Sequence, residues 1–306
     1  MIRFDCPICK SNRNTKIAFI GNKLFPINIS ICNSCGFVFQ NPRFTETEWN
    51  NYYVEDYDKF HRPKPGIKSS DSEDQSLLVT YNRILPFIKE GFNPQTVLEI
   101  GAGNGEIISY IAKRIPFKNV YAIEPSENCQ EVLKKKGIIV IGSSLNNIVE
   151  DVDSKADLIV MRHVLEHIYN PVEALKMMTN LLDDNGLFYI AVPNLFGFAE
   201  ILNCFTFPHI SYLNDFTLAR TAYFAGLKVV ELKASGDELY GLFQKISGED
   251  YMTTELNSSN NFAQTIIHIN KNMKRSTYLL KTLKRKFVVM LPNPILKKLL
   301  LKKIEQ

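Results

Sequence analysis

The chain has 306 residues, of which 45% are hydrophobic and 22% charged, a composition that is typical of a globular protein of about two domains and excludes wholesale disorder. The formal net charge is +4, but residues 271–306 carry 11 Lys/Arg and one acid, so a strongly basic tail follows a mildly acidic body. The first ten residues lack an apolar signal core, and polar residues and a proline interrupt the longest apolar stretch, 186–207, so we expect a cytoplasmic protein without a membrane span.

Residues 1–42 contain two Cys-x-x-Cys pairs, Cys6/Cys9 and Cys32/Cys35, which are separated by 22 residues. Two β-rich runs, 16–20 and 25–31, lie between the pairs. Each pair places two thiolates on one tight turn, and four thiolates complete a tetrahedral Zn²⁺ site with no open position. The spacing therefore predicts a small zinc ribbon with a structural metal. The alternative, a redox-active dithiol, needs only one of the two pairs.

Residues 43–74 form a predicted aromatic lid or linker. The aromatic side chains of its first part are Trp49, Tyr52, Tyr53, Tyr57 and Phe60. A segment rich in Pro, Gly, Ser and Asp follows at 61–74 and is typical of a linker. The alternative is a purely structural role, in which the tyrosines pack between the ribbon and the next domain.

Residues 75–250 alternate helical segments with short apolar strands, which we predict at 96–100, 119–124, 138–142, 157–162, 187–193, 227–234 and 239–246. This alternation indicates an α/β fold, a Rossmann-like doubly wound sheet of seven strands with helices on both faces. Only a short turn separates the last two strands, so we expect the last strand to be antiparallel, in a hairpin at one edge.

Residues 251–306 are predicted to form a basic helical tail. A helix over 273–290 would collect leucines, Phe287 and Met290 on one face and lysines and arginines on the other. Such a helix suits contact with an anionic membrane face, so the protein could be peripheral to the inner side of a membrane. The other open interpretation is a helix docked on the domain or on a second subunit of a homodimer.

The most informative segment is the loop after the first strand of the sheet, where Gly101, Gly103 and Gly105 follow Glu99. Glycines let the backbone turn sharply and let a ligand lie against it. The third glycine comes one residue earlier than in the dinucleotide-binding Gly-x-Gly-x-x-Gly pattern. Glu99 and Glu106 favour a cationic ligand over a pyrophosphate. Glu124 ends the next strand, where a carboxylate can accept hydrogen bonds from ribose hydroxyls.

The ordered motifs VLEIGAGNGE, AIEPS and DLIVMRHVLEHIYNP resemble those of the class I S-adenosylmethionine-dependent methyltransferases over residues 75–247. The resemblance implies that the methionine part lies on the loop of Glu99, Gly101, Ala102, Gly103 and Gly105. It implies that Glu124, followed by Pro125, holds the ribose and that Arg162 and His163 lie near the sulfonium. Many relatives carry an acid for the adenine after the third strand, where this chain has Ser143.

One rival motif lies in the same region. The segment from His163 through Glu166 to His167 fits the His-x-x-Glu-His pattern of inverted zinc peptidases. That pattern needs a long helix, whereas here a strand precedes directly and Asn170-Pro171 follows within four residues. The motif is therefore better explained by residues that shape the loop after the fourth strand.

The cysteine pairs, the Tyr52/Tyr53 region and the segment PHISYLNDFTLARTAYFAGL are similar to the deoxysugar C-methyltransferases. This resemblance implies a sugar-type acceptor, with His209 as base or acceptor-binding group and Tyr53 and His163 as further catalytic candidates. The position of that family's glutamate is Pro208 here, so carbon and oxygen methylation both stay open. The alternative is an RNA methyltransferase that grips phosphates with the ribbon and the basic tail. Against it, Val192-Pro193-Asn194 lacks the Asp/Asn-Pro-Pro-aromatic signature of base amino methylation.

Overall fold

The computed structural model describes residues 1–21, 26–55, 71–144, 147–148, 155–247 and 258–272. Its strands form two sheets. The smaller sheet contains β1 (Asn14–Gly21), β2 (Pro26–Cys32) and β3 (Val38–Gln40), and its fourth strand is β10 (Ser211–Tyr212) from the distant part of the chain. Ser211 pairs with Phe39, and Tyr212 with Val38. The N-terminal sheet is therefore completed by a segment of the larger domain.

The larger sheet has eight strands, and the seven predicted strands are all present in it. They are β4 (Thr96–Ile100), β5 (Asn119–Ile123), β6 (Ile139–Ser144), β8 (Ala156–Arg162), β9 (Leu182–Pro193), β11 (Leu227–Ser235) and β12 (Glu238–Lys245). A two-residue strand, β7 (Asn147–Ile148), was not predicted and pairs with β6 at one edge. The order is β11-β12-β9-β8-β4-β5-β6-β7.

The five strands from β9 to β6 run parallel, while β12 runs antiparallel to β9 and forms a hairpin with β11. The predicted Rossmann-like α/β fold with an antiparallel last strand is thereby confirmed. This topology brings the carboxyl ends of the parallel strands, and the start of β12, to one edge, where open α/β sheets bind ligands.

The helices in the described ranges are α1 (Glu46–Glu55), α2 (Asp71–Lys89), α3 (Glu106–Ala112), α4 (Glu127–Lys135), α5 (Pro171–Leu181), α6 (Asp215–Phe224) and α7 (Ser258–Asn272). Asn214 starts α6 with a capping box, because its side chain accepts from the Thr217 N–H while the Thr217 hydroxyl accepts from the Asn214 N–H.

Side-chain alternation along the strands gives the larger sheet two buried faces. Leu98 and Ile159 pack with α5 and α6 on one face, and Val97 and Leu158 pack with α2, α3 and α4 on the other. Because all four strand residues are nearly inaccessible, the central strands are covered on both sides. This explains why they appear in the sequence as continuous apolar runs.

Helix α7 packs on the N-terminal sheet. Ile269 shares a buried cluster with Ile29 and Ile31 of β2, and the Asn261 side chain donates a 2.7 Å hydrogen bond to the Cys35 carbonyl. The domain boundaries expected from the sequence stay a prediction, and the predicted basic helix over 273–290 lies outside the described residues. Within the described ranges, no helix has the length and apolar character needed to cross a membrane.

Candidate active site

The glycine loop joins β4 to α3 in a conformation that favours glycine. Gly101, Gly103 and Gly105 have positive φ angles of 70°, 55° and 72°. A Cβ atom at Gly101 would also overlap the side chain of Val164, and one at Gly105 would overlap Leu133. The first turn of the loop is held by a 2.8 Å hydrogen bond from the Gly101 N–H to the Ile123 carbonyl. The sequence pattern is therefore explained by backbone conformation and close packing.

Two buried carboxylates fix this loop. Glu124, at the end of β5, accepts hydrogen bonds from the N–H groups of Gly103 (2.7 Å) and Ser126 (2.9 Å) and is fully buried. Glu99, near the end of β4, accepts one from the Ile108 N–H at 3.1 Å. Burial raises the pKa of Glu99 to about 8. A cationic ligand beside Glu99 would therefore favour its ionised form.

Two cavities adjoin the loop. The larger, about 380 Å³, lies between the ends of β4, β5 and β6, helix α5 and helix α1, and its lining includes Gly101, Glu124, Pro125, Ser143 and His163. The smaller, about 170 Å³, is lined by residues that include Glu99, Gly101, Ala102 and Arg162. Eight of the ten predicted cofactor-binding residues therefore line one cavity or the other. Gly103 and Gly105 line neither of these two and shape the loop instead.

A third cavity, about 430 Å³, lies on the far side of His163. Its wall includes Arg83, Arg162, Phe198 and Glu238. His163 borders both this cavity and the 380 Å³ cavity, and Arg162 borders both this cavity and the 170 Å³ cavity. The three cavities therefore meet at the residue pair that ends β8. We call the third one the polar cavity.

Glu238 links three charged side chains in the wall of the polar cavity. Its carboxylate accepts from Arg162 at 2.8 and 2.9 Å, lies 3.0 Å from His163 Nε2, and also pairs with Arg83. Burial raises the pKa of Glu238, but these three partners outweigh burial and lower it to about 2. Sequence reasoning missed Arg83 and Glu238, since neither lies in a recognisable motif. The only available signal was the position of Glu238 at the start of an antiparallel strand beside β9.

Three histidines surround Glu166, which is 2% exposed. Oε1 of Glu166 lies 3.4 Å from His163 Nδ1, 3.7 Å from His167 Nε2 and 3.9 Å from His209 Nε2. Burial lowers the pKa of His163, but its contacts with Glu166 and Glu238 outweigh burial and raise it to about 9. We call these four residues the Glu166 cluster. Leu165–His167 form a single 3-10 turn rather than the long helix that a zinc peptidase would need.

The N-terminal sheet positions His209. The Gln40 side chain donates a 2.6 Å hydrogen bond to the His209 carbonyl, and the Tyr212 hydroxyl donates to the same atom at 2.7 Å. The next residue, Ile210, donates its N–H to the Glu166 carbonyl at 2.9 Å. His209 does not line any of the three cavities described above, although it lies beside His167, which does.

The aromatic region packs against the same loops. The ring centroids of Trp49 and Tyr52 lie 5.5 and 5.0 Å from that of Phe207, and Trp49 Nε1 donates a 3.0 Å hydrogen bond to the His167 carbonyl. Trp49 also lines the 380 Å³ cavity. Tyr53 lies in α1, and its side chain lies outside the described part of the chain, so its catalytic role stays a prediction.

The four cysteines of the N-terminal sheet converge. Sγ of Cys6 lies 3.7 Å from that of Cys35, and Sγ of Cys9 lies 3.5 Å from that of Cys32. All four sulfur atoms lie within 4.8 Å of one another. Zn–S bonds of about 2.3 Å in a tetrahedral site would separate the sulfurs by about 3.8 Å. The cluster therefore fits Zn²⁺ and is too open for disulfide bonds.

Residues 75–232, just over half of the chain, match the family model described as a methyltransferase domain. Among curated proteins, none matches the sequence significantly.

Solved structures with a similar fold include three bacterial proteins. An O-methyltransferase family protein from Burkholderia thailandensis is 14% identical with a TM-score of 0.43, and the match covers 57% of this chain and 60% of that one. An S-adenosylmethionine-dependent methyltransferase from Clostridium acetobutylicum is 12% identical (TM-score 0.45), covering 65% and 99%. A ribosomal protein L11 methylase from Lactobacillus delbrueckii is 16% identical (TM-score 0.42), covering 60% and 83%.

Proposed function

The chain belongs to the methyltransferase-domain family and is an S-adenosylmethionine-dependent methyltransferase, and from this premise we propose that it methylates a sugar-type small molecule, at a hydroxyl or carbon, in the polar cavity. The observation that carries the proposal is the position of His163 and Arg162, which end β8 and form walls shared by the loop-side cavities and the polar cavity. In-line transfer needs the acceptor in direct contact with the methyl group, so the two ligands would meet beside these side chains, where the cavities adjoin.

The donor fits the residues around the glycine loop. When bound, it supplies a methyl group activated by a cationic sulfur. Glu124 has two backbone N–H groups holding its carboxylate and further lone pairs for ribose hydroxyls. Glu99 borders the 170 Å³ cavity and offers a negative charge to the ammonium or sulfonium, and Ser143 offers a hydroxyl to the adenine. These assignments are the predicted ones, and the geometry supports them.

The lining of the polar cavity suits a hydroxyl-rich acceptor. Arg83, Arg162, Glu238 and His163 provide fixed donors and acceptors, and Phe198 adds an apolar surface. A volume of about 430 Å³ falls within the usual range for small-molecule sites. Orientation matters because methyl transfer from a sulfonium is an in-line displacement. The network around Glu238 therefore acts by holding the acceptor in one pose.

The acceptor also needs a base, and His209 is the residue we propose for it; because His209 lines none of the three cavities, it would act through Glu166 and His163, of which His163 lines the polar cavity. A structural Zn²⁺ held by Cys6, Cys9, Cys32 and Cys35 would stabilise the N-terminal sheet that positions this histidine. The alternative acceptor, RNA, would be held by the ribbon and the basic tail, and the contact with a membrane or a second subunit also depends on that tail, whose residues 273–306 lie outside the described residues.

The test is release of S-adenosylhomocysteine from the donor with a panel of nucleotide-linked sugars and glycan precursors, and with RNA for comparison. We expect turnover with a member of the sugar panel. His209→Ala should lower it about 100-fold, a usual contribution of a general base, with donor affinity unchanged. His268→Ala is the matched control, because His268 lies on α7 against Phe196 and outside the Glu166 cluster. Turnover with RNA alone would contradict the proposal.

A further inference from the structure

The Glu166 cluster contains a buried carboxylate whose hydrogen-bonding capacity is not used. Both carboxylate oxygens are buried, and no group in the described part of the chain donates a hydrogen bond of acceptable geometry to either one. A buried carboxylate in that state is costly unless a cation or a hydrogen bond compensates it. His163 Nδ1, at 3.4 Å from Oε1, supplies part of this compensation, and the rings of His167 and His209 approach the same oxygen at 3.7 and 3.9 Å, which leaves a place for a further cation on the side of Oε1.

The orientation of His167 points to a metal ion. Nδ1 of His167 lies 3.4 Å from the Pro208 carbonyl oxygen, which can only accept. Protonation at Nδ1 leaves the lone pair of Nε2 facing Glu166 Oε1 at 3.7 Å. A histidine that binds a metal through one ring nitrogen usually donates the N–H of its other nitrogen to a carboxylate, a backbone carbonyl or water. Two lone pairs that face each other in a buried site are stabilised when a cation lies between them.

His209 supplies the third ligand position. One ligand atom from each of Glu166, His167 and His209 lies within 4.8 Å of the others. Metal bonds of about 2.1 Å place neighbouring ligand atoms about 3.0–3.4 Å apart. The observed separations of 3.7 and 3.9 Å from Glu166 Oε1 therefore need to close by roughly 0.3–0.9 Å. A rotation of one side chain is enough for such a change.

The backbones that carry the two histidines are already fixed. Trp49 donates to the His167 carbonyl, and Gln40 and Tyr212 donate to the His209 carbonyl. Ile210 joins the His209 segment to Glu166 through its backbone hydrogen bond. The ligand residues lie in two segments, 166–167 and 209. Hydrogen bonds from the N-terminal residues Gln40 and Trp49 and between the two segments hold them together, as a metal site requires.

We propose that Glu166, His167 and His209 bind a divalent first-row transition-metal ion, separate from the metal of the cysteine cluster. Two imidazoles and one carboxylate are a donor set that suits Mn²⁺, Fe²⁺ or Zn²⁺ better than Mg²⁺, and three protein ligands leave open positions. His163 and His167 line the 380 Å³ cavity, so the ion is reached from the donor side.

A role of this ion in catalysis rests on the proposed function, whereas its binding does not. An acceptor hydroxyl that extends from the polar cavity past His163 to an open position of the ion would release its proton to solvent more readily, because the cation stabilises the alkoxide. In the metal-loaded enzyme His209 then serves as a ligand, and the ion takes over the task assigned above to the histidine as base. A vicinal diol, which sugars offer, fits two open positions.

The experiment adds Mn²⁺ to the full chain with Zn²⁺ already bound at the cysteines and follows free Mn²⁺ by electron paramagnetic resonance, without any acceptor. Mn²⁺ is the probe because it prefers nitrogen and oxygen ligands to thiolates. We expect one Mn²⁺ per chain. Glu166→Gln and His209→Ala should each weaken binding at least tenfold. His268→Ala and Glu173→Gln, a carboxylate beside the same cavity but outside the cluster, should leave it unchanged.

Affinity for S-adenosylhomocysteine, measured on each variant, shows that the fold is retained. Glu166→Gln keeps the size of the buried side chain, so it covers the case in which His209→Ala fails to fold. No saturable Mn²⁺ binding by the zinc-loaded wild type, or equal binding by the wild type and both variants, overturns the proposal. Because no acceptor is present, the result is independent of whether the acceptor is a sugar.

Discussion

Gln40 donates a 2.6 Å hydrogen bond from its side-chain amide to the carbonyl oxygen of His209, 169 positions later in the chain. The bond joins β3 of the cysteine-bearing sheet to the segment that holds the candidate base. The pairing of β3 with β10 adds backbone hydrogen bonds to the same connection. The N-terminal sheet is thus tied to the segment of His209, the proposed base, whereas the glycine loop and Glu124 follow strands of the other sheet.

Removal of the zinc should therefore abolish turnover but spare donor binding. A chelator, or Cys32→Ser, removes metal bonds that small Cys-rich modules need in order to fold, and the position of His209 is lost with β3. We expect turnover to fall at least about 100-fold, since the base contributes 10²–10⁴-fold. Affinity for S-adenosylhomocysteine, measured by calorimetry, should change less than about threefold, which corresponds to roughly 0.6 kcal/mol.

The matched control is Cys129→Ser on α4, outside the cluster, because serine keeps a donor for the Asn104 side chain of the glycine loop. It should keep one zinc at the four N-terminal cysteines, and its turnover should resemble that of the wild type. Zinc-free protein that retains full turnover would show that the N-terminal sheet does not position the acceptor side.

Glu238→Gln should weaken acceptor recognition. The substitution keeps the size of the side chain but removes the charge that pairs with Arg83, Arg162 and His163. Removing one partner of a buried ionic network costs about 2–4 kcal/mol. We expect most of this cost to appear as weaker acceptor recognition, because the three groups lose the partner that fixes their positions. We expect kcat/KM for the acceptor to fall by about 30-fold or more, in steady-state assays at saturating donor.

Glu231→Gln is the control for that change, because Glu231 lies on the neighbouring strand β11 and pairs only with the exposed Lys233 among the described ion pairs. It should leave both kinetic constants unchanged. An effect of Glu238→Gln on donor affinity alone would place the acceptor outside the polar cavity.

The sequence predicted that the glycine loop and Glu124 lie together, because they follow successive parallel strands, whose carboxyl ends must meet, and the hydrogen bond from the Gly103 N–H to Glu124 joins them. The acceptor side could not be predicted in the same way. Arg83 and Glu238 are 155 positions apart and meet only through the antiparallel placement of β12. Strand β10 has two residues and carries no periodicity, so its pairing with β3 left no signal in the sequence.

Glu124→Gln should weaken donor binding directly. The amide keeps an acceptor for one of the two N–H groups of the loop but loses the charge that strengthens hydrogen bonds to ribose hydroxyls. A hydrogen bond to a charged group contributes about 1.5–3 kcal/mol, so we expect a 10- to 100-fold higher Kd for S-adenosylhomocysteine. Calorimetry measures this, with Glu127→Gln on the surface of α4 as control. Equal affinities in the two variants would refute the predicted role of Glu124.

Glu99 should make the stability of the ligand-free protein fall as pH rises. Burial raises the pKa of Glu99 to about 8, against about 4.5 for an ordinary glutamate. Between these values the folded protein keeps a proton that the unfolded chain has released, so the unfolded state gains relative stability with increasing pH. The contribution of Glu99 is fully present below pH 4.5 and is lost as pH rises through 8.

Glu99→Gln removes this titration and keeps the hydrogen-bond acceptor for Ile108. In urea unfolding at pH 5, 6, 7 and 8, we expect the wild type to lose roughly 1–3 kcal/mol relative to the variant across the series. The variant should bind the cationic donor more weakly at pH 8, because it offers no negative charge to the ligand. Parallel stability profiles for the two proteins would mean that Glu99 is already ionised in the folded state.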